Sequence, residues 1–181
     1  MPEWKFILIH HSATPDGKVN DWDSIRRYHM SYRIDGVIIA SKDEFDRRKA
    51  AGQGKLFETP DLDIGYNFGI EEQAGAILLK IGRPLTMSGA HCKEASMNSL
   101  SIGICVVGDY DKEILNDTKH DLLVDVCLAL CLMFKIPTSN IQGHRQYATY
   151  KSCPGKNIDP SLIAAEVDAL LKIVALKECR E

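Results

Sequence analysis

With 181 residues, 45% of them hydrophobic and 26% charged, the chain has the size and composition of one globular domain with a core of its own. A formal net charge of -3 supplies no basic field, which argues against nucleic acid or an anionic membrane surface as a partner. The N-terminus has no basic stretch leading into a long apolar one, so no signal peptide is expected, and Phe6 to Ile9 is too short to cross a membrane. A protein that is cytoplasmic as synthesised is the expectation.

Lys5 to Ile9 predicts a short central strand, because its apolar run is continuous rather than alternating. The run ends in His10 and His11, which point to opposite faces of an extended chain, so at most one of them can aim at a given site. Asp21 to Tyr32 predicts a helix capped by Asp21 or Asp23, with Trp22, Ile25, Tyr28 and His29 on one face. Residues 35–62 are charge-rich and predict an irregular surface insertion, with at most a short helix. Residues 63–70 and 76–80 predict two antiparallel strands about a turn at Gly75. Leu100 to Val107 predicts a strong strand closed by Gly108. Asn116 to Lys135 predicts the clearest helix, with Asn116 or Asp117 as cap and Pro137 beyond its end. Asp159-Pro160 opens a last helix that runs to about Lys177, a cap followed by proline at the first helical position. The expected fold class is α/β, a single mixed central β-sheet flanked by helices, in one catalytic domain over 1–181 with a surface insertion at 35–62.

The six cysteines read as thiols or ligands rather than as a disulfide framework. Cys127 and Cys131 share an apolar helical face and Cys105 lies inside a strand, so all three are expected in the core. Cys179 sits in a charged tail and is expected to be exposed. Metal-ligand types gather at three places: His10-His11, Gly143-His144-Arg145, and Lys151-Ser152-Cys153-Pro154-Gly155. Two imidazoles and one thiolate make a three-ligand zinc set with a fourth position open, provided the loop between His144 and Cys153 folds back. On residue type alone, each of these side chains reads first as structural.

Five motifs then follow one another along the chain. They are Ile9-His10-His11-Ser12-Ala13-Thr14, Ile25-Arg26-Arg27-Tyr28-His29, and Asp63-Ile64-Gly65-Tyr66-Asn67-Phe68. Gly89-Ala90-His91 with Asn98 to Ile104 comes next, and then Gly143-His144-Arg145 with Cys153-Pro154-Gly155. This ordered set resembles the type 2 N-acetylmuramoyl-L-alanine amidases, a family that includes small phage endolysins and shares its fold with peptidoglycan-recognition proteins. The resemblance implies one zinc ion held by His10, His144 and Cys153. It implies Tyr66 and Lys151 as catalytic residues, and His91 and Asn98 on the substrate side. His11 is then not a ligand, His29 is structural and His120 is on the surface.

The implied reaction is hydrolysis of the amide between N-acetylmuramic acid and L-alanine, by a monomeric endolysin that reaches the cell wall after holin-type release. Two alternatives accompany it. One is a cytosolic amidase that recycles anhydro-muropeptides and typically carries aspartate where this chain has Cys153. The other is a non-catalytic peptidoglycan-binding module, which generally loses that cysteine. Two departures from the family pattern stand out: the long 35–62 stretch, and Tyr147, Thr149 and Tyr150 where many relatives carry an acidic residue and proline.

Overall fold

The central strand β1 (Phe6–His11) pairs in parallel with two neighbours, and the rest of the molecule is laid around it. The computed structural model describes residues 2–14 and 21–178. After β1 come α1 (Trp22–His29), β2 (Arg33–Ile34), β3 (Val37–Ile38), α2 (Lys42–Ala50), β4 (Phe57–Glu58), β5 (Phe68–Gln73) and β6 (Ala76–Ile81). They are followed by α3 (Met97–Leu100), β7 (Ser101–Val106), α4 (Asp117–Phe134), β8 (Ile141–Gly143) and α5 (Pro160–Glu178). Five strands form one sheet in the order β6-β5-β7-β1-β8. Its pairs are parallel except for the β5–β6 hairpin, so the sheet is mixed, as the sequence predicts. The hairpin turns through Ala74 and Gly75, both at positive φ, the combination that matches the right-handed twist of the strands it joins.

Both faces of the sheet are covered, which is why β1 and β7 are buried along nearly their whole length. Ile7, Ile9, Ile102, Ile104 and Val106 pack with Leu123 and Cys127 of α4 and Ile163 and Val167 of α5. On the opposite face Leu8 meets Cys92 and Met97, while Cys105 and Val107 meet Trp22 of α1 and Ile64. Each inward Ile, Leu or Val is worth about 1.5–3 kcal/mol of burial. The helix starts follow the cap signals: Asn116 accepts from the Lys119 N–H at 2.8 Å, and Asp21 accepts from the Ser24 N–H at 2.7 Å. Cys105, Cys127 and Cys131 are buried, and Cys179 lies outside the described residues. Among the described residues, no helix is long and apolar enough to cross a membrane.

Three expectations need correction. Helix α1 ends at His29 rather than Tyr32, because the chain turns there into β2. The 35–62 stretch is not irregular. Within and beside it β2, β3 and β4 form a second, antiparallel sheet in the order β3-β2-β4. Helix α2, capped by Ser41, lays Phe45 over Ile34 and Ile39 to give this sheet a small core. The third correction concerns residues 63–67, which precede β5 instead of belonging to it. They are strapped to β7 by Asn67, whose N–H donates to the Gly103 carbonyl and whose Oδ1 accepts from the Gly103 N–H, both at 2.9 Å. Arg83 holds the same segment from the other side, donating to the carbonyls of Ile64, Asp63 and Ser88.

Candidate active site

The parallel register of β1 and β8 places the first two donors side by side. Ile9 is level with Gly143, so His10 and His144 emerge as neighbours, with ring centroids 4.6 Å apart. Cys153 comes back to them because Arg145 ties its own loop shut. The Arg145 N–H donates to the Cys153 carbonyl at 2.7 Å, and its guanidinium donates to the carbonyls of Gly155 at 2.7 Å and Ile158 at 3.1 Å. The Cys153 Sγ then lies 3.6 Å from His10 Nδ1 and accepts from the His11 N–H at 3.4 Å. One donor atom from each of His10, His144 and Cys153 lies within 4.8 Å of the others, and all three residues are buried. Lone pairs converging at this spacing suit a tetrahedral zinc ion with a corner left for water.

Burial sets the charge state of this cluster. It holds the His10 imidazole well below its ordinary pKa, helped by the neighbouring His91 and His144, and it brings His144 down to about 4. Both rings therefore offer bare nitrogens at neutral pH. Burial also pushes the Cys153 thiol up to about 12, so a cation is what this pocket needs to ionise it. The donor chemistry fits zinc. A second combination, Cys92 with Glu94 and His144, shares His144; a third, His11 with Asp109 and Asp111, has its carboxylates engaged by Lys112, Ser152 and the Lys156 N–H.

The cluster opens into a cleft of about 340 Å³ whose lining includes Tyr66, His91, His144, Lys151 and Cys153. Tyr66 is half-buried between the His10 and His29 rings, with centroids 5.1 and 5.6 Å away, and burial raises its phenol well above the ordinary value. It therefore keeps its proton at neutral pH. Its place is fixed by Gly65, where a Cβ would run into the Ala90 carbonyl and whose N–H donates to His29 Nδ1 at 2.8 Å. Lys151 is exposed at the cleft, its charge felt by both His10 and His144. Arg33, Glu58 and Asp61 bring the second sheet and its flank into the lining of the same cleft. His11 turns away to Tyr110, whose N–H donates to its Nδ1 at 3.2 Å.

A family profile described as N-acetylmuramoyl-L-alanine amidase (Amidase_2) matches residues 1–156. The chain belongs to this amidase family. No curated protein sequence matches the chain. Among solved structures, N-acetylmuramoyl-L-alanine amidase LysC from Clostridium intestinale is similar at 18% identity and TM-score 0.59, covering 92% of this chain and 86% of that one. A point mutant of Drosophila PGRP-LB in complex with tracheal cytotoxin is similar at 23% identity and TM-score 0.56, covering 87% and 79%. Peptidoglycan recognition protein-LE in complex with tracheal cytotoxin, a monomeric diaminopimelic acid-type peptidoglycan, is similar at 18% identity and TM-score 0.56, covering 90% and 80%. These likenesses are likenesses of fold: the amidase type 2 and peptidoglycan-recognition fold predicted from the motifs.

In this amidase-family chain the two positions expected on the substrate side, Asn98 and His91, both have partners within the protein. Asn98 does not line the cleft. Its Oδ1 accepts from the backbone N–H groups of His91 and Cys92, both at 2.7 Å, so it shapes the turn that presents His91. His91 is 92% buried and is engaged by His10 as well as facing the cleft. A third position, Glu94, went unrecognised in the sequence. Its Oε1 accepts from the Tyr150 hydroxyl at 2.7 Å and its Oε2 stands 4.0 Å from His144 Nε2. The run His91-Cys92-Lys93-Glu94, four polar or ligand-type residues in a row, was the available signal. Tyr150, one of the departures in the 144–153 loop, thus holds an acidic group from a different part of the chain beside His144.

Proposed function

We propose that the protein is a zinc-dependent N-acetylmuramoyl-L-alanine amidase that hydrolyses the amide between the lactyl group of muramic acid and L-alanine in peptidoglycan. The observation that carries this reading is the convergence of His10, His144 and Cys153 in a cleft, within a chain of the amidase family. His10, His144 and Cys153 would hold one zinc ion, which supplies Lewis acidity toward water and the scissile carbonyl. Lys151, with its ammonium at the cleft, offsets the negative charge that grows on the carbonyl oxygen. Tyr66 keeps its phenolic proton and can deliver it, directly or through a water, to the leaving amine. His91 completes the cleft wall.

A muropeptide is the substrate class, supported by the tracheal-cytotoxin complexes of fold relatives. Cysteine as the third donor favours a lytic, endolysin-type enzyme over a recycling amidase, with access to the wall depending on a holin-type release. The same residues favour catalysis over simple peptidoglycan binding, which needs neither a metal cluster nor a charged lysine beside it. The test is metal analysis of the purified protein joined to product identification on isolated peptidoglycan. One bound zinc and newly exposed N-terminal alanine are expected. New reducing ends with muramyl-alanine bonds intact would overturn the reading.

A further inference from the structure

The geometry points to His91 as a positioning residue that fixes the tautomer of His10 and so presents a bare Nδ1 to the metal position. The argument begins at the far end of a short hydrogen-bonded chain. The Ser101 carbonyl can only accept, and it lies 3.3 Å from His91 Nε2, so that nitrogen carries the proton. A neutral imidazole carries a single proton, so with Nε2 protonated the His91 Nδ1 is bare. That Nδ1 lies 3.0 Å from His10 Nε2, which must therefore be the N–H of its own ring. A neutral His10 protonated at Nε2 has its lone pair on Nδ1, and Nδ1 is the atom 3.6 Å from Cys153 Sγ, on the side where the three donors gather. Reversing any ring would set two lone pairs or two protons against each other, or leave the Ser101 carbonyl unmet.

The relay is also held rigidly. The His91 imidazole lies against two glycines, and a Cβ at either Gly89 or Gly103 would collide with it, at 2.5 Å from Cδ2 in the case of Gly103. The His91 N–H is fixed by Asn98, and Ser101 is level with Phe6 on the same strand that carries His10. The imidazole of the Gly89-Ala90-His91 motif is therefore mostly buried, with only a small part of its surface at the cleft. An outer partner of this kind orients a ligand histidine and raises its basicity, and its loss typically weakens metal binding by about 10- to 100-fold.

The metal half of this inference rests on the zinc reading above, and two measurements separate the two. In metal-free wild-type protein, imidazole 15N shifts should report His10 protonated at Nε2; protonation at Nδ1 would overturn the inference without any zinc being present. Zinc affinity, measured by competition with a chromophoric chelator, should fall about 10- to 100-fold in His91→Phe and recover in His91→Gln, whose carboxamide can both accept and donate. Thermal melts of the metal-free variants check that the fold is kept. A His91→Phe protein that is folded, binds zinc as wild type does and loses only wall cleavage would reassign His91 to substrate contact. A wild type with the expected shifts and no zinc affinity would bring down the zinc reading and leave the tautomer assignment standing.

Discussion

The two sheets put their polar side chains to opposite uses. At the ends of β1 and β8 the ionisable groups are buried and uncharged: His10, His91 and His144 are held neutral by desolvation, and Cys153 is held as a thiol. In the small sheet and its helix α2 the ionisable groups are charged, paired and mostly exposed, as in Lys42 with Asp46 and Glu44 with Arg47 and Arg48. Buried neutral donors with fixed partners specify one geometry, because each unmet hydrogen bond there costs about 1–3 kcal/mol. Exposed pairs contribute about 0–1 kcal/mol each and leave the backbone free to vary. On the proposed reading the large sheet carries the chemistry, and the small one contributes Arg33 and Glu58 to the cleft lining.

The largest expected effect breaks the first half of that comparison. Cys153→Ser should remain folded, since the side chain is nearly isosteric, yet lose zinc and all wall-clearing activity, because a hydroxyl does not ionise as a thiol does. Metal content and turbidity clearing check it. A zinc-replete, active Cys153→Ser protein would mean that the donors hold no catalytic ion.

The two regions also differed in how legible they were. β1, β7, α4 and α5 announced themselves through long apolar runs and cap residues, and Asn116 and Asp159 do what caps do. The small sheet has no periodic signature because its strands are two residues long, and its core of Ile34, Ile39 and Phe45 is scattered among charges. Asp63 to Asn67 read as strand because extended segments share that composition; whether the ladder begins at 63 or at Phe68 is decided by Asn67, bonded to Gly103 of β7 36 positions away, and by Arg83, bonded to the Ile64 carbonyl 19 positions away. In the site, residue types and spacing exposed the donors. They could not expose which nitrogen of His91 meets which neighbour, or that Asn98 serves the backbone, because those depend on pairings across 81 and 7 positions of chain.

The second prediction loads the small core. Phe45→Ala should cost about 3–5 kcal/mol of local stability around Ile34 and Ile39, read as faster amide exchange there. Zinc affinity should stay within about twofold, since distant sites are nearly independent. A parallel fall in zinc affinity would show that the two sheets are one energetic unit.

Acid sharpens the comparison from the other side. His29, His91 and His144 titrate near 4 in the folded protein against 6.5 in the reference state. Between those values the unfolded chain binds more protons than the folded one, so stability is fully present above about pH 6.5 and is lost as pH falls toward 4. Each such histidine contributes a slope of at most about 1.4 kcal/mol per pH unit. The three are near neighbours, so their effects will not simply add. The 33–58 segment contains no histidine. Residue-resolved exchange on the metal-free protein should therefore show the ends of β1 and β8 loosening over this window while the small sheet stays protected.

The smallest effect concerns the groove wall. Arg33 is nearly buried, donates from Nη2 to Glu58 Oε1 at 3.2 Å and lies over the Tyr28 ring, 4.5 Å from its centroid. Glu58 is about a third exposed, so Glu58→Gln should cost only about 1 kcal/mol, with one acceptor retained. Both residues line the cleft, and neither belongs to the proposed donor set of His10, His144 and Cys153. KM for a muropeptide should therefore rise a few-fold while kcat and zinc content hold, because a contact made equally in ground and transition states affects binding alone. A fall in kcat at constant KM would place this ion pair close enough to the reacting atoms to act on the transition state, and the division of labour between the two sheets would fail.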